Sequence, residues 1–154
     1  AISHLQRGVA LEPDKAAYHA NLGLALEEQG ELVMARTEYQ KSLQLNPENP
    51  PLIDALARLL ATSTVAEVRD GANAVRWAER LMDLGGANSP QALDTLSAAY
   101  AEAGRFREAT TVAQRALDVA DRRGQRDLAM AIRERMTLYE AGHTFRVEGR
   151  WLIN

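Results

Sequence analysis

At 154 residues, with 46% hydrophobic and 25% charged residues, the chain has the length of one domain and the composition of an ordinary soluble one. It contains no cysteine, which excludes a disulfide, a thiolate zinc site and a cysteine nucleophile, and its formal charge of -3 is too small to draw DNA or an anionic lipid surface to the molecule as a whole. A 5% aromatic share beside abundant Ala, Leu, Glu and Arg favours helices over sheets, so the expected fold is all-α.

Residues 1–13 read as one amphipathic helix, with Ala1, Ile2, Leu5 and Val9 on one side and Gln6, Arg7 and Glu12 on the other. Asp14 stands where an N-cap for the next helix is wanted. From Ala16 to Asn49 two short helices meet at Gln29-Gly30-Glu31. Leu22, Gly23 and Leu26 mark the inner face of the first, Ala35, Tyr39 and Leu43 that of the second, and Asn46-Pro47 closes the unit because proline cannot continue the backbone ladder. Asn49-Pro50 and Ser89-Pro90 each place a capping side chain before a proline at the first helical position, opening two further first helices. Asp70-Gly71 opens a second helix with Ala74, Val75, Ala78 and Leu81 inward, and Gly85-Gly86 ends it. From Arg105 a long helix runs to about Arg122, before Gly124 interrupts.

Leu128, Ala131, Ile132, Met136 and Tyr139 then recur at three- and four-residue steps while Arg126, Arg133, Glu134 and Glu140 face away. That is the pattern of a capping helix over 127–141. In the tail, 142–154, Phe145, Val147, Trp151 and Ile153 share a period of two, which suits an extended segment: a docking strand, a linker to another domain, or partly vector sequence.

The 16–49 unit repeats. Pro13 to Pro47, Ala1 to Ala35 and Gly23 to Ala57 are all steps of 34; Ala57 to Ser97 is 40, Ala35 to Ala74 is 39, and Ala74 to Ala109 returns to 35. The longer steps put extra residues between the two helices of the middle copy, at Thr62 to Arg69. The pattern resembles the tetratricopeptide repeat, whose signature over about 34 residues is W-x2-L-G-x2-Y, A-x3-F and P. His19 stands at the Trp place, Leu22-Gly23 fit the Leu-Gly pair, Leu26 replaces the Tyr, Ala35 and Tyr39 fit the Ala and Phe, and Pro47 fits the Pro. The last copy reads Leu93-x2-Leu96-Ser97-x2-Tyr100, Gly104, Ala109-x3-Ala113.

The resemblance implies a right-handed α-solenoid: a truncated second helix over 1–13, full repeats over 16–49, 50–88 and 90–123, and a capping helix. It also implies that the chain opens inside an earlier copy, with another helix lying against 1–13 in the full protein. The wording of the last copy resembles the C-terminal repeats of larger bacterial proteins of this family.

Little in the sequence carries chemistry. His4, His19 and His143 lie far apart without metal-like partners, and no H-E-x-x-H, Walker lysine, G-x-G-x-x-G or G-x-S-x-G pattern is present, so no catalytic residue, metal or cofactor is expected. Arg122, Arg123, Arg126, Arg133, Arg135, Arg146 and Arg150 are interleaved with Asp118, Asp121, Asp127, Glu134 and Glu140, the mark of a solvated mixed-charge face rather than a nucleic-acid site. The longest apolar run is too short to cross a membrane, so no direct membrane contact is expected.

What remains is surface. By the resemblance, the first helices line a concave groove with Ala17, Ala20, Asn21, Leu24, Glu27 and Glu28, then Pro51, Asp54, Ala55, Arg58 and Thr62, then Gln91, Asp94, Thr95, Ala98, Ala101 and Glu102. Ala20, Asp54 and Asp94 stand where a clamp for a C-terminal carboxylate would want lysines, which disfavours a chaperone tail. The acids Glu27, Glu28, Asp54, Asp94 and Glu102 suit a peptide with Lys or Arg, read through Asn21 and small apolar pockets at Ala55, Ala98 and Ala101, or they merely solvate the face. The expected function is a non-enzymatic scaffold for a peptide or protein partner. The alternatives are a docking segment of a larger enzyme, such as a glycosyltransferase or kinase, and self-association through the terminal repeats and aromatic tail.

Overall fold

The computed structural model describes residues 2–147, and among them are eight α-helices. They are α1 (Ile2–Leu11), α2 (Ala16–Glu28), α3 (Leu32–Leu45), α4 (Pro50–Thr62), α5 (Gly71–Asp83), α6 (Pro90–Glu102), α7 (Phe106–Arg122) and α8 (Arg126–Glu140). A 3₁₀ turn, Gly86–Asn88, precedes α6. The helices pack as sequential antiparallel pairs, α2 on α3, α4 on α5 and α6 on α7, with α1 against α2 and α8 against α7. No pair hides its apolar stripe alone. The buried residues from Leu22 to Tyr139 therefore form one continuous core running through the stack.

Local chemistry sets the helix starts. The Asn49 side chain accepts the Leu52 N–H, Asp70 that of Asn73 and Ser89 that of Ala92, each satisfying a first-turn donor that has no partner within its helix. Asp14 does not cap α2. The Lys15 N–H turns back to the Glu12 carbonyl at 3.1 Å, so Lys15 becomes the residue before the helix and makes no side-chain cap bond.

The first and last pairs end their first helices alike. Gly30 and Gly104 take φ of 81° and 77°, and the next residue's N–H reaches back to Leu26 and Tyr100 respectively. In the middle pair no such glycine follows α4. The chain leaves Ser63 extended and travels through 63–70 before α5, with fully buried Val68 as its plug and Arg69 bonded to the Ser63 carbonyl at 2.9 Å.

Within pairs, small residues set the spacing. A Cβ on Gly23 would lie 2.6 Å from Tyr39 Cδ1, so the aromatic ring of α3 occupies the room that a side chain would take. At the corresponding place in the last pair the ring is replaced by Ala113 and the glycine by Ser97, whose hydroxyl donates to the Ala109 carbonyl at 2.7 Å. The middle pair meets through Ala57, Ala74 and Ala78, all fully buried. Between pairs, Gly71 lies against the backbone of Glu102 and Ala103, where a Cβ would come within 2.8 Å.

Candidate interaction face

The first helices α2, α4 and α6 carry the residues expected to line a groove, and the three helices present them differently. On α2, Ala17, Asn21 and Glu28 are exposed and Ala20 and Leu24 are half-buried. Glu27 is not on the open face. It is buried, and the Tyr39 hydroxyl of α3 donates to its carboxylate.

On α4, Pro51 is exposed while Asp54, Ala55 and Arg58 are half-buried. Asp54 pairs with Arg58 at 2.9 Å and accepts from the Thr95 hydroxyl at 2.6 Å, and Arg58 Nε donates to Thr95 Oγ1 at 2.9 Å. These bonds tie α4 to α6. Beside them a hollow of about 280 Å³ is bounded by Pro51, Asp54, Gln91 and the turn at Leu84, Gly85 and Gly86. A larger hollow of about 480 Å³ lies elsewhere, lined by Pro47 and by Asn73, Arg76, Trp77, Glu79, Arg80 and Asp83 of α5, with no residue of a first helix.

On α6 the expected lining is covered. Asp94 and Thr95 have no exposed surface, Ala98 keeps 2% and Ala101 keeps 1%, so Ala98 and Ala101 are not open apolar pockets. Arg135 of α8 reaches Asp94 with two donors, Nε at 3.0 Å and Nη2 closer still. Burial pushes the Asp94 carboxyl above the usual range, and the guanidinium opposes that shift by stabilising the charged form. Arg135 is thus no part of a solvated face, and Asp94 is no open site for a ligand's cation. Elsewhere the arginines and acids do pair at the surface, as Arg133 with Asp121 at 3.1 Å.

Glu102, at the end of α6, is half-buried between two arginines, Arg69 at 3.4 Å and Arg146 at 2.7 Å. The second of these belongs to the segment after α8. Gly142, with φ of 75°, turns the chain, and Phe145 packs against the core with the Arg135 guanidinium 5.1 Å from its ring centre. The Val147 N–H donates to the Thr62 carbonyl at 2.9 Å, and Val147 forms a parallel bridge with Ser63. Residues 145–147 are therefore docked against the ends of α4 and α6 and against α8. The alternation at Trp151 and Ile153, like Arg150 and Ala1, lies outside the described residues.

His19, at the Trp place of the repeat pattern, is a packing residue. Its Nε2 donates to the Pro13 carbonyl at 2.8 Å, since a carbonyl only accepts, and its Nδ1 sits 2.6 Å from the Glu38 carboxylate.

Arg135 was legible as an inward residue. It falls three after Ile132 and four before Tyr139, on the stripe that faces the core. Its charge disguised it. The docking of Phe145 and Arg146 had no signal beyond the alternation itself, because it depends on which helix ends the fold brings near them.

Helices packed in sequential antiparallel pairs around small residues define an all-α helical-repeat protein. Within it, residues 16–49 match the tetratricopeptide repeat family, and that segment is a tetratricopeptide repeat. No curated protein matches the chain. Repeats of this kind generally mediate protein–protein interactions and are typically non-catalytic, and such a segment alone does not exclude a larger enzyme.

Proposed function

We infer that this chain is a non-enzymatic interaction module that holds a peptide or protein partner along the concave side of its first helices. The observation that carries the reading is the open face of α2. Ala17, Asn21 and Glu28 are exposed and Leu24 is half-covered, and a separate hollow is bounded by Pro51, Asp54 and Gln91, at the equivalent repeat positions of α4 and α6. An amide, an acid and short apolar side chains together suit an extended backbone with small side chains. Asp54 is half-buried and paired with Arg58, whereas Glu28 is the exposed acid of this face.

The test is to select extended peptides from a displayed random library against the full chain and to measure their affinity for the Asn21→Ala/Glu28→Lys variant. An Arg76→Ala variant on α5 serves as control. About tenfold weaker binding to the α2 variant, equivalent to about 1.4 kcal/mol, with binding to the α5 variant unchanged, is the expected result. Selected peptides that bind the α2 variant as well as the parent, or that lose affinity only on Arg76→Ala, overturn the reading.

A further inference from the structure

We propose that the C-terminal ends of α4 and α6, together with Arg135 of α8, form a second peptide subsite, and that the chain's own residues 145–147 occupy it as an intramolecular ligand. The subsite would take an extended peptide carrying an aromatic residue followed by arginine and a β-branched residue. The proposal rests on the interaction-module reading and gives part of its surface a ligand class and a control.

Three contacts of different kinds define the subsite. The first is backbone pairing. Thr62 ends α4, and the last carbonyls of a helix have no partner within it. In the first and last pairs a glycine turn continues directly into the second helix, so no extended edge follows. The longer connection of the middle pair instead leaves Ser63 extended, with φ of -56° and ψ of 139°, and the Val147 N–H meets the Thr62 carbonyl at 2.9 Å. The added residues between α4 and α5 thereby create a short edge for a strand.

The second contact is charge. Glu102 is half-buried, and Arg146 Nη1 lies 2.7 Å from its Oε2, while Arg69, in the connection between α4 and α5, lies 3.4 Å from its Oε1. The third is aromatic. The Phe145 ring lies under the guanidinium of Arg135, which is itself fixed by Asp94. Residues 145–147 thus satisfy, in order, a cation's face, a carboxylate and a carbonyl, each supplied by a different helix. Any peptide with the same order of groups competes for the same partners. The tail's attachment gives it a high effective concentration that an outside peptide must exceed.

The experiment uses the full chain and a capped, labelled peptide with the sequence of residues 142–147. Arg146→Glu sets two carboxylates against each other and is expected to release the tail. The peptide should then bind this variant at least about tenfold tighter than the parent chain, and the same peptide with Glu in place of Arg should not bind it. Conversely, Glu102→Lys should bind the Glu-containing peptide and reject the original. Amide exchange at Val147 gives a readout independent of affinity: slow in the parent, fast in Arg146→Glu, and slow again in the Glu102→Lys/Arg146→Glu double variant, where the pair is restored with its signs exchanged.

Val147 protection unchanged in Arg146→Glu overturns the latch. Equal affinity of both peptides for the opened chain overturns the ligand class. Either failure leaves the broader reading standing, provided library-selected peptides still depend on Asn21 and Glu28.

Discussion

The first and last helix pairs turn on the same left-handed glycine, Gly30 and Gly104, yet their first helices meet different neighbours. On α2 the row at Ala17, Asn21 and Glu28 stays exposed, whereas on α6 the row at Asp94, Thr95, Ala98 and Ala101 is buried. The two pairs also treat their inner acids differently. Glu27 takes a hydroxyl from Tyr39, inside its own pair, while Asp94 takes a guanidinium from α8, outside it. The difference teaches that a repeat's lining is decided by what packs on it as much as by its own sequence. A helical-repeat unit specifies its internal contacts and leaves its outer face to its neighbours.

Three substitutions sharpen that contrast. The largest effect is expected from Arg135→Ala, which strands the Asp94 carboxylate in the interior. Removing one partner of a buried pair costs about 3–5 kcal/mol, and replacing both, as in Asp94→Leu/Arg135→Met, costs less. Denaturant unfolding gives the magnitude. Amide exchange gives the location, with protection falling in α6 and α8 while α2 and α3 hold. If α2 and α3 lose protection equally, the two ends are not separable in the way described.

A smaller and opposite localisation is expected from Gly23→Ala. Its Cβ meets the Tyr39 ring at 2.6 Å, an overpacking of the kind that costs about 1–3 kcal/mol. The destabilisation should centre on α2 and α3, and thermal unfolding of the variant indistinguishable from the parent would show that Tyr39 yields freely. Smallest of all is Arg133→Ala. Arg133 and Asp121 are each about half exposed, so unfolding should shift by no more than about 0.5 kcal/mol, and a larger shift would mean that α8 depends on its outer charges as well as its inner one.

Much of the architecture was legible because it rests on local patterns. Leu22, Gly23 and Tyr39, the caps Asn49, Asp70 and Ser89, and the stripe of α8 are each set by spacing within one or two helices, which a sequence displays directly. The lining residues were legible as positions and misleading as surfaces. Asp94 and Glu27 look like solvent-facing acids until the chain 41 residues on supplies Arg135 to one and the facing helix supplies Tyr39 to the other. Asp14 failed for a nearer reason, since the turn from Glu12 to Lys15 moved the helix start past it. Long-range pairing of charged groups leaves no periodic trace, and that is why the covered half of the face had to be seen in three dimensions.

The connection between α4 and α5 divides its work between its two ends. Val68 and Arg69 anchor the side nearest α5, and Ser63 anchors the side nearest α4, while Thr64, Val65 and Ala66 stand out in solvent. A surface bend held at both feet is where a polypeptide absorbs new length at little thermodynamic cost. The bend is a natural splice point: a reporter peptide or a short graft set between Thr64 and Val65, ahead of the turn that the Val68 N–H closes on the Val65 carbonyl, would travel with the stack without disturbing the register of the helices on either side.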